Sequence, residues 1–150
     1  CENNKKPVSP GTLGILTNPK HPLFGDFPTD EHTNWQWFPV IQQSHPLILD
    51  NLPHSYRPIV QVIDNIERNH RLGLVCEFAV GKGKLLICMS DLECAQEYLE
   101  GRQFYHSVLR YMQSDDFQPK VQMKWSDLLK VLSDHAQESK LKELNNISQY

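Results

Sequence analysis

The sequence predicts an α/β layered domain, and three observations carry that expectation. Short apolar runs bounded by turn residues fill the first two-thirds of the chain. Helical periodicity takes over toward the C-terminus. Strands interleaved with helices and followed by two C-terminal helices indicate layers of helix on sheet. Because the runs are apolar on both faces, they suit a central sheet covered on both sides. At 150 residues the chain is the size of one domain and long enough to bury a core without disulfide staples.

The elements follow in order. Residues 1–10 read as a polar tether, 11–136 as the folded domain and 137–150 as a polar helix or tail. Thr12–Leu16 is a short apolar run ended by Thr17-Asn18-Pro19, hence a buried strand. Lys20–Pro28 holds two prolines and a glycine and reads as a loop. Thr33-Asn34 caps a short helix reaching Gln43, with Trp35, Phe38 and Ile41 at helical spacing. Pro39 either kinks that helix or delays its start. Leu47–Leu49 and Ile59–Ile63 are further strands. Leu72–Val80 and Lys84–Met89 flank Gly81-Lys82-Gly83 and form a hairpin. Arg102–Gln113 and Ser126–His135 are amphipathic helices packed on the sheet.

Composition excludes some classes of function. The apolar fraction is 39%, charged residues are 22% and the net charge is -3, so a generic electrostatic grip on nucleic acid is not expected. No apolar run approaches the roughly 18 residues of a membrane span. Four cysteines, Cys1, Cys76, Cys88 and Cys94, include no Cys-x-x-Cys pair, which argues against a zinc ribbon or a thioredoxin-type motif. Cys76 and Cys88 lie in apolar stretches and read as small buried hydrophobes. Cys1 followed by a polar stretch is the pattern of a mature bacterial lipoprotein, with a periplasmic or outer-membrane-anchored location and a membrane tether through Cys1; an arbitrary chain boundary reads the same way.

Several segments carry a family resemblance: Gly11–Pro22 (GTLGILTNPKHP), Phe27–Phe38 (FPTDEHTNWQWF), Arg57–Asp64 (RPIVQVID), Asn69–Glu77 (NHRLGLVCE), Val80–Cys88 (VGKGKLLIC) and Ser90–Leu92 (SDL). Together they resemble the C-terminal accessory domain of bacterial family 2 glycoside hydrolases, the β-galactosidase-like enzymes. The resemblance covers about Gly11 to Pro119. It implies a flavodoxin-like, class I glutamine amidotransferase-like three-layer sandwich, with a mostly parallel sheet and a C-terminal hairpin and helices. The catalytic barrel of those hydrolases is not in these 150 residues, since a barrel takes about 250.

The chemistry of the residues points away from catalysis. Gly-x-Cys-x-Gly, the elbow an amidotransferase nucleophile needs, does not occur. Glycoside hydrolysis needs two facing carboxylates, and Asp26, Asp30, Glu31, Asp50, Asp64, Glu67, Glu77 and Asp91 read as caps and solvated loops. The seven histidines include no His-x-x-x-His pair, so no metal or other cofactor is expected. No catalytic residue is assigned.

The densest constellation is Thr29–Trp37, and it supplies the candidate ligand residues Glu31, His32, Asn34, Trp35 and Trp37. Sugar sites pair an aromatic face with amides and hydroxyls. The competing reading is structural. The two indoles are two residues apart and diverge on a helix, so one can anchor the core while the other faces solvent. Asp64 and Asn69 flank a turn and are also candidates if Ile59–Ile63 is a parallel strand, whose carboxyl end is where ligands bind; Asx-turn chemistry is the alternative.

The expected function is therefore a non-catalytic accessory or carbohydrate-interaction module in extracytoplasmic glycan degradation, with a carbohydrate or a glycoside hydrolase as partner. Two rivals stand beside it. One is a structural or oligomerisation module packing on a hydrolase, marked by an exposed apolar patch at Trp35 or Trp37. The other is a small glycan hydrolase, marked by converging carboxylates or histidines in a pocket.

Overall fold

A computed structural model describes residues 14–42, 44–65 and 69–133. The tether at 1–10, the tail at 137–150, Thr12 and Cys1 lie outside the described residues.

The hairpin forms where its turn chemistry puts it. β4 (Arg71–Val80) returns as β5 (Gly83–Cys88), with Val80 paired to Gly83. Gly81 takes φ +59° at the first turn position, the conformation that a two-residue hairpin turn asks of glycine. β1 (Ile15–Thr17), β2 (Leu47–Ile48), β3 (Val60–Ile63) and β6 (Gln122–Met123) complete a six-stranded sheet. β4 is its spine. Val75 pairs with Val60 and with Cys88, so β3 and β5 lie on opposite flanks. Gly73 pairs with Gln61 and Leu47, which puts β2 on the flank of β5. Ala79 pairs with Lys84 and Gln122, which puts β6 on the flank of β3. β1 pairs with β3 at the outside.

The direction of the strands overturns the expected mostly parallel, flavodoxin-like or amidotransferase-like sandwich. β4 is antiparallel to β2, β3 and β5, β1 is antiparallel to β3, and only β6 runs parallel to its neighbour. Chain connectivity gives the reason. β3 ends at Ile63 and β4 begins at Arg71, and a link that short cannot make the crossover of about a dozen residues that a parallel pair needs. The hairpin turn imposes the same direction on β5.

The apolar character of β4 has a different origin from parallel pairing. Both faces of the sheet are covered. One core cluster gathers Ile15, Leu23, Phe24, Phe27, Trp37, Val75 and Phe104 beneath α3 (Leu99–Gln113). The other gathers Leu47, Leu49, Tyr56, Cys76, Phe78 and Leu128 beneath α4 (Trp125–Ser133). Between Gly73 and Val75 the register against β3 shifts, because Gln61 pairs with Gly73 and Val60 with Val75. Leu74 is the extra residue of this bulge, and Leu74 and Val75 join the same cluster instead of alternating.

The remaining helices lie near their expected places. The helix expected from Thr33 to Gln43 is a 3-10 turn, Trp35–Trp37, running into α1 (Phe38–Ile41). Pro39 sits in the first turn of α1, where its missing N–H costs nothing. It delays the α-helix rather than kinking it. Asn34 precedes the 3-10 turn without capping it through its side chain. A short α2 (Leu92–Ala95) is capped by Asp91, whose Oδ1 accepts the Cys94 N–H at 3.0 Å.

Candidate functional site

The segment Thr29–Ile41 is pinned to the sheet from below. Trp37 is fully buried. Its Nε1–H donates to Thr29 Oγ1 at 2.8 Å, and its ring meets Phe24, Phe27 and Phe104 edge-on with centroids 6.0, 5.2 and 5.3 Å away. Turning two residues back along the 3-10 turn reverses the environment: Trp35 is 88% exposed. The two indoles diverge as their spacing dictates.

Trp35, Phe38 and Ile41 fall on one side of the turn and α1, and with Thr33 and Asn34 they line an open groove of about 350 Å³. That is at the small end of the roughly 300–1,000 Å³ typical of small-molecule sites. The Trp35 and Phe38 rings stand 6.3 Å apart at 55° and form its apolar wall. The polar element is Asn34. Its Nδ2 makes one long contact of 3.5 Å to Asp30 Oδ2, while its Oδ1 is shielded from solvent without a hydrogen-bond partner. An amide held this loosely loses little by rotating toward a ligand hydroxyl, because the desolvation of Oδ1 is already incurred. Thr33 is committed to the fold, its Oγ1 accepting the Ile15 N–H at 2.8 Å.

Of the candidate residues, the structure brings only Asn34 and Trp35 to this groove. Trp37 is core. Glu31 and His32 are exposed and serve through their backbones: Glu31 C=O accepts the Thr17 N–H at 3.1 Å, and His32 bridges Leu16. Both cover the outer edge of β1. Asp64 and Asn69 are elements of the β3–β4 connection. The Asp64 carboxylate accepts the N–H groups of Asn65 at 2.8 Å and His70 at 3.0 Å, and Asn69 holds φ at 49°. β3 and β4 are antiparallel, so the strand-end argument that made Asp64 and Asn69 ligand candidates no longer applies. Phe38 and Ile41 are the groove residues outside the constellation; their positions three and six residues after Trp35 are the signal.

The thiols sit where nucleophiles do not. Cys76 is buried mid-strand, and burial pushes its thiol up to about 12. Burial raises Cys88 as well. Cys94 is disulfide-bonded.

A second polar cluster lies on the α3 side of the sheet. The Tyr111 hydroxyl donates to Glu77 Oε2 at 2.7 Å, and His21 Nε2 stands 3.9 Å from Glu77 Oε1. Burial works to raise the Glu77 carboxyl, but the contacts from His21 and Tyr111 outweigh it and hold it below the usual carboxylate range. A carboxyl depressed in the folded state adds stability above its unfolded pKa, and that stability is lost as pH falls through the folded value. Wild-type protein is therefore expected to lose thermal stability relative to Glu77→Gln as pH falls below the ordinary glutamate range, about 4.3. Midpoints of the pair measured across that range check it; a constant difference would remove the linkage.

Sheet, groove and polar cluster together define a domain built on a mixed, mostly antiparallel six-stranded sheet with helices on both faces and an aromatic surface groove. A family model described as "Domain of unknown function (DUF8487)" matches residues 2–133, and the chain belongs to that family. No curated protein matches the chain. Among the described residues no helix is long and apolar enough to cross a membrane.

Proposed function

We propose that the domain is a non-catalytic glycan-interaction module of the kind that accompanies glycoside hydrolases, and that it binds sugar at the Trp35 groove. The observation that carries the reading is the exposed Trp35 indole standing over a groove whose floor is apolar and whose one loosely held polar group is the Asn34 amide. An indole face meets the C–H face of a pyranose, and a carboxamide meets its hydroxyls. The resemblance of segments such as Phe27–Phe38 to family 2 glycoside hydrolase accessory domains supports the same reading.

Titration with oligosaccharides is expected to shift the indole fluorescence with an affinity in the millimolar range. Trp35→Ala should abolish the shift while changing stability by no more than about 0.5 kcal/mol, as for other exposed positions. Trp125 is also largely exposed, so Trp125→Phe should keep the shift. A shift that survives Trp35→Ala, or none across β- and α-linked hexose oligomers, overturns the reading.

A further inference from the structure

The two outer edges of the sheet are treated differently. The edge of β1 is covered by the chain itself, through Thr17 N–H to Glu31 C=O, Ile15 N–H to Thr33 Oγ1, and the Leu16–His32 bridge. Among the described residues β5 pairs with no strand but β4, and just past its end Ser90 bridges Ser44. With Val80 and Gly83 closing the hairpin, Gly83, Leu85 and Ile87 turn their amides toward β4, and Lys84, Leu86 and Cys88 turn theirs outward. Among the described residues those outward groups meet no backbone partner.

The side chains of β5 repeat the message. Leu85, Leu86, Ile87, Cys88 and Met89 are consecutive apolar residues, all only half-buried. Leu86 and Cys88 pack on one core cluster, and Leu85 and Ile87 on the other. A strand apolar on both faces is the pattern of a sheet interior. β5 carries no proline or bulge, and its one charge, the exposed Lys84, lies next to the hairpin turn, leaving Leu85 to Cys88 without a charge of the kind that protects natural edges.

We infer that this edge is completed by β5 of a second copy of the chain, joined antiparallel about a two-fold axis at Leu86. The occupant has to be an extended strand that is apolar on both faces, and β5 meets that requirement itself. The two-fold lays Leu86 against Leu86 of the second copy and Lys84 against its Cys88, so the outward N–H and C=O groups of each find partners. It also keeps the two Lys84 side chains apart, each across from Cys88 of the second copy. The face is distinct from the Trp35 groove, so either can fail without the other.

Light scattering and native mass spectrometry of the full chain across the micromolar range test it. The expected result is a concentration-dependent dimer. Lys84→Pro and Leu86→Pro each remove an outward N–H while leaving the bonds to β4 in place, as proline allows on an edge strand. Each should weaken self-association at least tenfold with an unchanged far-UV spectrum. Lys84 is exposed, so its variant keeps the test valid if Leu86→Pro fails to fold. Hydrogen exchange at the Leu86 amide should slow as protein concentration rises. A monomer at every concentration overturns the inference. So does a dimer that survives both proline variants and dissociates on Leu129→Lys, which would place the contact on the exposed Trp125, Leu129 and Leu132 stripe of α4.

Discussion

Trp37→Ala is expected to cost about 3–5 kcal/mol of folding stability, the range for deleting a large buried aromatic. The indole is fully buried and joins separate parts of the chain: Phe24 in the 3-10 turn Pro22–Gly25, Phe27 and Thr29 in the loop after it, and Phe104 of α3. Truncation removes the transfer free energy of the ring, leaves a cavity among rings that cannot collapse together, and strips Thr29 Oγ1 of its donor. A domain of this size has about 5–15 kcal/mol in total, so the variant should be near its threshold at physiological temperature. Urea unfolding should show a lower midpoint with an unchanged slope. Trp37→Phe should recover part of the loss, because it refills most of the volume but not the hydrogen bond. Equal losses for Trp37→Ala and Trp35→Ala would mean that the two indoles do not divide core from surface as described.

That division could be read from spacing alone, since residues two apart on a helical turn point in different directions. The hairpin was equally legible, because glycine at the turn is a local requirement. Strand direction was legible only in part. The short link from Ile63 to Arg71 already forbids parallel pairing of β3 and β4. The continuous apolar run of β4 was the misleading cue, for it reports burial on both faces and says nothing of direction. The Leu74 bulge further hid the alternation that an antiparallel strand would otherwise display. β6 had no local signal. Gln122-Met123 becomes a strand only because β4 is there to pair with it, with Ala79 N–H donating to Val121 C=O at 2.9 Å. At the site, Glu31 and His32 stood out for their side chains, yet the fold uses their backbones at the edge of β1. No pattern of side-chain types can show a role of that kind.

Gly101→Ala is expected to destabilise the domain by at least about 2 kcal/mol, against the sign that helix propensity gives. Gly101 lies in the first turns of α3 and is buried. In an exposed helix, glycine to alanine gains about 1 kcal/mol. Here a Cβ would stand 1.9 Å from the carbonyl oxygen of Ala95 and 2.4 Å from its carbonyl carbon. Both are backbone atoms that cannot rotate aside. The Ala95 C=O accepts the Tyr98 N–H at 3.1 Å and the Ala95 N–H donates to Asp91 C=O at 3.0 Å, so the end of α2 is held where it is. Relief has to come from lifting the start of α3, which overpacking studies place at about 1–3 kcal/mol and occasionally more. The displaced helix carries Phe104, which packs on Trp37 beneath the groove, so sugar-dependent fluorescence should weaken along with stability. Gly25→Ala is the matched control, since a Cβ there meets nothing within 4 Å; its midpoint should stay within about 0.5 kcal/mol of wild type. If Gly101→Ala proves neutral or stabilising, propensity has won over the clash, and the close crossing of α2 and α3 is not a feature of the folded protein.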